Sequence, residues 1–240
     1  MKIFTLIKRL RGAVMCLVFC AVWLNGGSLL GDDAKPGDNV FVSTPVLPAS
    51  LKRVVLLPLA HEEAQAELVS GCEMLYPVLQ AELDKTKKFE VVTASPKTIQ
   101  GLTGQASWTG GEVLPADFFG SLQRVYGCDA VLFCQLTAFH AYPPLMIGWR
   151  MKLVDASTQK IIWAADVVYD ASDLAVSKSA EQFQKEQEGA AKPQTFFRRV
   201  LTWLDRRSEP VTDEPWAVLN SPRYFGQFSA AKLLQTLPAR

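Results

Sequence analysis

The feature that most constrains the fold is a short, continuously apolar run over residues 53–59, Arg-Val-Val-Leu-Leu-Pro-Leu. A strand with one solvated face alternates polar and apolar residues, whereas an unbroken apolar run is typical of a strand buried on both faces. A sheet that contains such a strand has to be covered by other elements. We therefore expect helices packed on a sheet.

An amphipathic helix is predicted directly after this strand, over about residues 62–87. Its apolar residues recur at spacings of three and four, which places them on one stripe: Leu68, Cys72, Leu75, Leu79 and Leu83. Pro77 lies within the segment and is expected to kink or split the helix, because proline cannot donate a backbone hydrogen bond. The next strand is predicted over residues 89–93.

A glycine-rich loop around Trp108 is predicted over residues 94–114, and a second helix after it. The helix is expected to begin at Pro115, since proline suits the first helical position, with Asp117 favourable in the first turn. Gly127 is the expected C-terminal stop.

The chain then becomes rich in predicted strands. Residues 129–141 are largely apolar, and Trp149, Met151 and Leu153 alternate with basic residues, as in a half-buried strand. A polar turn over residues 155–160 leads into an answering strand, so we expect an antiparallel hairpin.

A helical insertion is predicted at about residues 172–220, followed by a final helix with Ser221 as N-cap and Pro222 at its first position. The apolar face of that helix comprises Tyr224, Phe225, Phe228, Ala231 and Leu234. The order β-α-β-α-β-β-β-α predicts a single α/β domain over residues 52–240, with a mixed sheet and helices packed on it.

The N-terminal segment has the pattern of an export signal. Lys2, Lys8, Arg9 and Arg11 precede an apolar run from residue 13 to residue 24, and small residues follow. We therefore predict an export signal over residues 1–31, with an uncleaved membrane anchor as the alternative, and a linker over residues 32–51. The expected location is periplasmic or on an envelope membrane.

Charge and cysteine content exclude several classes of function. Removing the four basic residues of the signal from the 25 Lys and Arg leaves 21, against 24 Asp and Glu, and this acidic balance argues against nucleic-acid binding. Three cysteines lie beyond the signal, Cys72, Cys128 and Cys134, and none belongs to a C-x-x-C pair. Buried thiols are the simplest interpretation, and no cofactor or metal is expected.

Five segments together resemble the curli-secretion lipoprotein (CsgG) superfamily, which is similar to penicillin-binding-protein activator lipoproteins and the amino-terminal domain of TolB. They are the apolar run ending in Leu-Pro-Leu59, Phe89–Val92, Tyr126–Phe133, Met151–Asp155 and Ile161–Ala164. The resemblance implies an anticodon-binding-like sandwich in an envelope accessory protein, commonly oligomeric or bound to a larger machine.

Two departures from that superfamily limit what the resemblance implies. Its members are usually lipidated, but Met15 and Phe19 stand before Cys16 and Cys20, where a small residue is required. The long membrane-crossing hairpins of a secretion pore are also not identifiable, so pore formation is not implied.

Two loops carry candidate partner-binding residues. Trp108 lies among flexible residues, and either contacts a partner or folds back onto the domain as packing. Tyr142 and Leu145 flank the Pro143-Pro144 pair. This stiff apolar loop either binds a partner or forms a hairpin corner.

The insertion contains candidate membrane-surface residues. They combine an apolar face with arginines and a tryptophan, a set that suits anionic lipid head groups: Phe197, Arg198, Arg199, Trp203 and Arg206. The alternative is an amphipathic helix packed on the sheet, with its arginines in solvent.

The two histidines and the carboxylates of the strands are the residues in which a catalytic role is conceivable. His140 shares strand parity with Leu136 and is expected to be buried, while His61 precedes an acidic helix start. Asp166 and Asp170 are about 13 Å apart by strand rise, too far for a cooperating pair. No nucleophile and base are brought together.

The sequence thus predicts a non-catalytic envelope accessory or scaffold protein that acts by protein association, through envelope partners or self-association. A periplasmic ligand-binding domain is the alternative. An envelope hydrolase with a site near His61 or Asp129 is a further one.

Overall fold

The structure is a computed structural model that describes residues 39–61, 65–191 and 217–240, the side chains of 188–191 excepted. The chain divides into two units, residues 1–36 and residues 37–240. All described residues belong to the second unit. The predicted signal therefore lies outside the described residues.

The second unit contains six strands and six helices among its described residues. The strands are β1 Asn39–Val42, β2 Arg53–Leu56, β3 Glu90–Thr93, β4 Ala130–His140, β5 Met146–Asp155 and β6 Ile161–Asp170. The helices are α1 Ala66–Thr86, α2 Pro96–Thr103, α3 Phe118–Tyr126, α4 Leu174–Ala191, α5 Ala217–Asn220 and α6 Pro222–Gln235.

The strands form one mixed sheet in the order β1-β6-β5-β4-β2-β3. β2 pairs in parallel with β3 and β4, and the other neighbours are antiparallel. The apolar run that contains β2 continues beside β4, since the Ala60 N–H donates to the Cys134 carbonyl at 2.9 Å. Val54, Val55 and Leu56 are fully buried, so the predicted doubly buried strand is confirmed.

One face of the sheet is covered by α1, α4 and α6. The predicted stripe of α1 is buried there, and α1 continues through Pro77 as one helix rather than two. The buried residues Leu75 and Leu79 hold the helix on both sides of the proline. α6 begins after Ser221, as predicted, and buries Phe225 and Phe228 against this face.

On the opposite face, the described helices cover only part of the width of the sheet. There α2, α3 and Trp108 pack over β2 and β4, where they bury Val55 and Phe133. On the same face of the neighbouring strands, Phe41 of β1 and Val168 of β6 are about half exposed, at 51% and 50%. We call the part that the described helices leave uncovered, formed by β6, β1 and the part of β5 before Val154, the open sheet face.

Two elements formed where the sequence predicted none. β1 lies within the predicted linker and pairs with β6 at the edge of the sheet. α2 lies within the predicted loop, and its start has a recognisable signal, because the Ser95 side chain accepts the Thr98 N–H at 3.1 Å and Pro96 follows directly. α3 begins at Phe118, three residues later than expected, with Asp117 at the N-cap position.

The expectation of a buried His140 is wrong. The β4–β5 register shifts between Leu136 and Ala138, so Thr137 is an extra residue that reverses the side-chain alternation beyond it. Phe139 therefore joins Leu136 in the core, and His140 is exposed.

Close packing of α1 on β4 predicts a specific sensitivity at Gly71. A Cβ at this position would lie 2.7 Å from the Phe139 ring and 2.8 Å from Leu136, so Gly71→Ala is expected to lower the free energy of unfolding by about 1–3 kcal/mol. Gly101→Ala in α2 is the matched control, because its Cβ meets nothing within 4 Å. It should instead stabilise by about 0.5–1 kcal/mol. Equal effects in urea unfolding would contradict this packing.

Candidate functional site

The structure places Trp108 in the core. Its side chain is 3% exposed, its Nε1–H donates to the Thr103 hydroxyl at 2.7 Å, and its ring meets Phe118 edge to face. Of the two interpretations of this residue, packing is the one that the structure shows. The neighbouring Thr109–Gly111 remains at the surface and borders the open sheet face.

The two residues of the proline loop have different environments. Tyr142 is 71% exposed, whereas Leu145 is fully buried. Pro144 follows a cis peptide bond, and its carbonyl lies 3.1 Å from the exposed His140 Nδ1. Tyr142 alone of this pair is available to a partner.

The membrane-surface candidates Phe197, Arg198, Arg199, Trp203 and Arg206 lie outside the described residues. Within the described ranges no helix is long and apolar enough to span a membrane.

The carboxylates considered for catalysis have structural partners. Asp129 accepts the backbone N–H groups of Lys52 and Arg53 at 2.8 and 2.9 Å, so it aligns the starts of β2 and β4. Asp166 accepts from Arg150 Nε at 2.7 Å across the sheet.

Asp155 organises the β5–β6 turn. Burial would raise the pKa of its carboxyl, but hydrogen bonds from the backbone and hydroxyl groups of Thr158 and Ser157 outweigh it and hold the pKa below its ordinary value. The carboxylate is therefore ionised at neutral pH, and the hydrogen bonds that it accepts stabilise the turn.

The described cysteines are buried free thiols. Burial raises the pKa of Cys72 to about 11, and also raises the pKa values of Cys128 and Cys134. A raised thiol pKa keeps the sulfur protonated, and a thiol is a poor nucleophile or metal ligand. Among the described residues, no group of three or more His, Cys, Asp or Glu is placed to hold a metal ion.

The strand β1 presents an exposed edge. All four of its residues are exposed, and they include the apolar Val40, Phe41 and Val42. The Ser43 N–H donates to the Ile162 carbonyl at 3.0 Å. Because antiparallel backbone groups alternate in direction, the N–H groups of Val40 and Val42 point away from β6.

A groove of about 250 Å³ crosses the open sheet face beside the Thr109–Gly111 loop. The pairing of the strands places two rows of side chains along this groove. A polar row runs through Gln135, Arg150, Asp166 and Asn39, and a second row runs through Phe133, Lys152, Ala164 and Phe41. Lys152 Nζ donates to the Gly110 carbonyl and so links the second row to the loop.

Sequence reasoning missed this groove. Gln135 stands in an apolar strand without any motif around it. The rows form only when the four strands β4, β5, β6 and β1 pair. One of these strands, β1, lies in the segment predicted as a linker. The available signal was the strict alternation of β5, which places Arg150 and Lys152 on one face.

Comparison with known proteins gives distant structural similarities. No protein-family model matches the chain, and no curated protein matches its sequence. The chain is similar to the PelC dodecamer from Paraburkholderia phytofirmans, at 13% identity and a TM-score of 0.41, over 85% of this chain and 97% of that one.

Two further similarities cover less of this chain. Lipoprotein GNA1162 from Neisseria meningitidis has 17% identity and a TM-score of 0.38, over 60% of this chain and 99% of that one. The LpoB C-terminal domain from Salmonella enterica has 15% identity and a TM-score of 0.36, over 49% and 81%. Because the identities and TM-scores are low, the relation of this chain to a family remains a prediction from the sequence motifs.

The buried position of Trp108 predicts a large stability effect. Trp108→Ala should lower the free energy of unfolding by about 3–5 kcal/mol, because it removes the ring packed on Phe118 and leaves a cavity. Tyr142→Ala is the control, since its exposed side chain should change stability by no more than about 0.5 kcal/mol. Similar midpoints in chemical denaturation for both variants would contradict a packing role for Trp108.

Proposed function

We propose that this chain is a non-catalytic accessory or scaffold protein of the cell envelope that acts by protein association. The observation that carries the proposal is the exposed apolar edge strand β1. The export pattern of residues 1–31 and the resemblance of five segments to envelope accessory proteins support the location.

An unprotected strand edge is an association surface. Natural proteins usually blunt sheet edges with charged residues, prolines or bulges, because unpaired backbone groups accept a strand from another chain. β1 has none of these among residues 39–42, whose sequence is Asn-Val-Phe-Val. A strand added beside β1 would extend the sheet through the outward groups of Val40 and Val42.

The hydrogen bonds, ion pairs and thiol pKa values of the described residues favour a scaffold protein over an enzyme. Asp129 and Asp155 accept hydrogen bonds from backbone N–H groups, and Asp166 forms an ion pair with Arg150. The buried thiols have raised pKa values. These groups hold the fold together and are not poised for proton transfer or attack.

A proline at the outward position tests the edge directly. Val42→Pro removes an N–H that points away from β6, so pairing with β6 should persist and the fold should remain intact. We expect the full-length variant to lose the larger assemblies that the unchanged protein forms in envelope extracts, as measured by size-exclusion chromatography with light scattering.

The control places the same change at the opposite edge. The Ala94 N–H donates to the Leu56 carbonyl at 3.0 Å, so by alternation the Thr93 N–H points outward from β3. Thr93→Pro should leave the assembly unchanged. A monomeric unchanged protein, or equal loss of assembly in both variants, would contradict association through β1.

A ligand-binding function is the second candidate. It is favoured by one observation, the groove of the open sheet face with Gln135 in its polar row.

A further inference from the structure

The buried amide of Gln135 has no hydrogen-bond partner among the described residues. Its side chain is 2% exposed, and neither Oε1 nor Nε2 is bonded. A buried polar group left unpaired lowers the stability of the fold, and native structures contain few of them. A group that binds in the groove next to this side chain would supply the missing hydrogen bonds.

We propose that the groove binds a neutral, polyhydroxylated ligand of about one sugar ring, with Gln135 as its buried contact. A carboxamide offers a donor and an acceptor side by side, which matches two adjacent hydroxyl groups. A hydroxyl can both donate and accept, so a diol satisfies both atoms of Gln135 at once.

The rest of the polar row fits the same chemistry. Arg150 and Asp166 neutralise each other through their 2.7 Å contact, so this part of the row presents donors and acceptors with little net charge. Asn39 ends the row with a second carboxamide. A row of this kind favours a neutral polar ligand over a strongly charged one.

Apart from Lys152, whose Nζ donates to the Gly110 carbonyl, the second row supplies an apolar surface. Phe41 is half exposed, and it stands across from Ala164 on the open sheet face. The carbon-bound hydrogens of a sugar ring give it an apolar side that can rest on an aromatic ring, while its hydroxyls remain at the edge. The polar row would therefore bind the hydroxyl groups of a sugar ring, and the second row would contact the apolar side of the same ring.

The size of the groove limits the ligand. Sites for drug-sized molecules measure about 300–1,000 Å³. The groove measures about 250 Å³, which suits a smaller ligand.

Gln135 also borders a second cavity, of about 380 Å³, around the β4 bulge. The Thr137 hydroxyl is buried there, also without a hydrogen-bond partner. Thr137 is absent from the groove, whereas Phe41 is absent from the second cavity. Substitutions at these two positions therefore distinguish the cavities.

The test is a titration of the full chain with D-glucose and N-acetyl-D-glucosamine, followed by NMR of the side-chain amide of Gln135. We expect a saturable shift of this signal with at least one sugar. Gln135→Leu and Phe41→Ala should abolish or weaken sugar binding at least tenfold, measured by calorimetry, and Thr137→Val should retain it. Dialanine serves as the peptide control and should produce no shift.

Stability provides an independent readout. Because Gln135→Leu removes two unpaired polar atoms and keeps an apolar side chain, it should raise the Tm by about 2–4 °C while it abolishes binding. A fall in Tm would overturn the proposal, since it would assign Gln135 a structural bond. Absence of a shift with both sugars, a shift with dialanine alone, or loss of binding only in Thr137→Val would overturn it as well.

Discussion

The parallel pairing of β2 with β4 is the constraint on which the remaining structure depends. Both strands are buried on both faces, so the sheet must carry helices on each side at this point. Asp129 fixes the start of the pair by accepting the N–H groups of Lys52 and Arg53. The antiparallel strands β5, β6 and β1 then extend the sheet away from this centre.

The described helices of the second face do not follow that extension. The helices α2 and α3 cover the β2–β4 centre and reach the end of β5 at Val154, whereas Phe41 of β1 and Val168 of β6 are about half exposed. The groove lies on the exposed part of this face, and its lining includes Asn39 and Phe41 of the edge strand β1.

Sequence patterns predicted the parts of this fold that depend on long apolar periodicity. The doubly buried β2, the stripe of α1 and the β5–β6 hairpin are present. What failed depends on tertiary context. β1 has only four residues and is a strand because β6 offers it a partner. His140 faces solvent because Thr137 is an extra residue in β4, which reverses the alternation of side chains after it. The extra residue is recognised only from the pairing of β4 with β5.

Hydrogen exchange tests most directly whether β1 is an association surface. In the protein extracted from its native envelope, the amides of Val40 and Val42 should be protected, whereas the outward amide of Thr93 at the opposite edge should exchange rapidly. Dissociation of the assembly should then release Val40 and Val42 to the rate of Thr93. Exchange of Val40 and Val42 as fast as Thr93 in the native extract would contradict the claim.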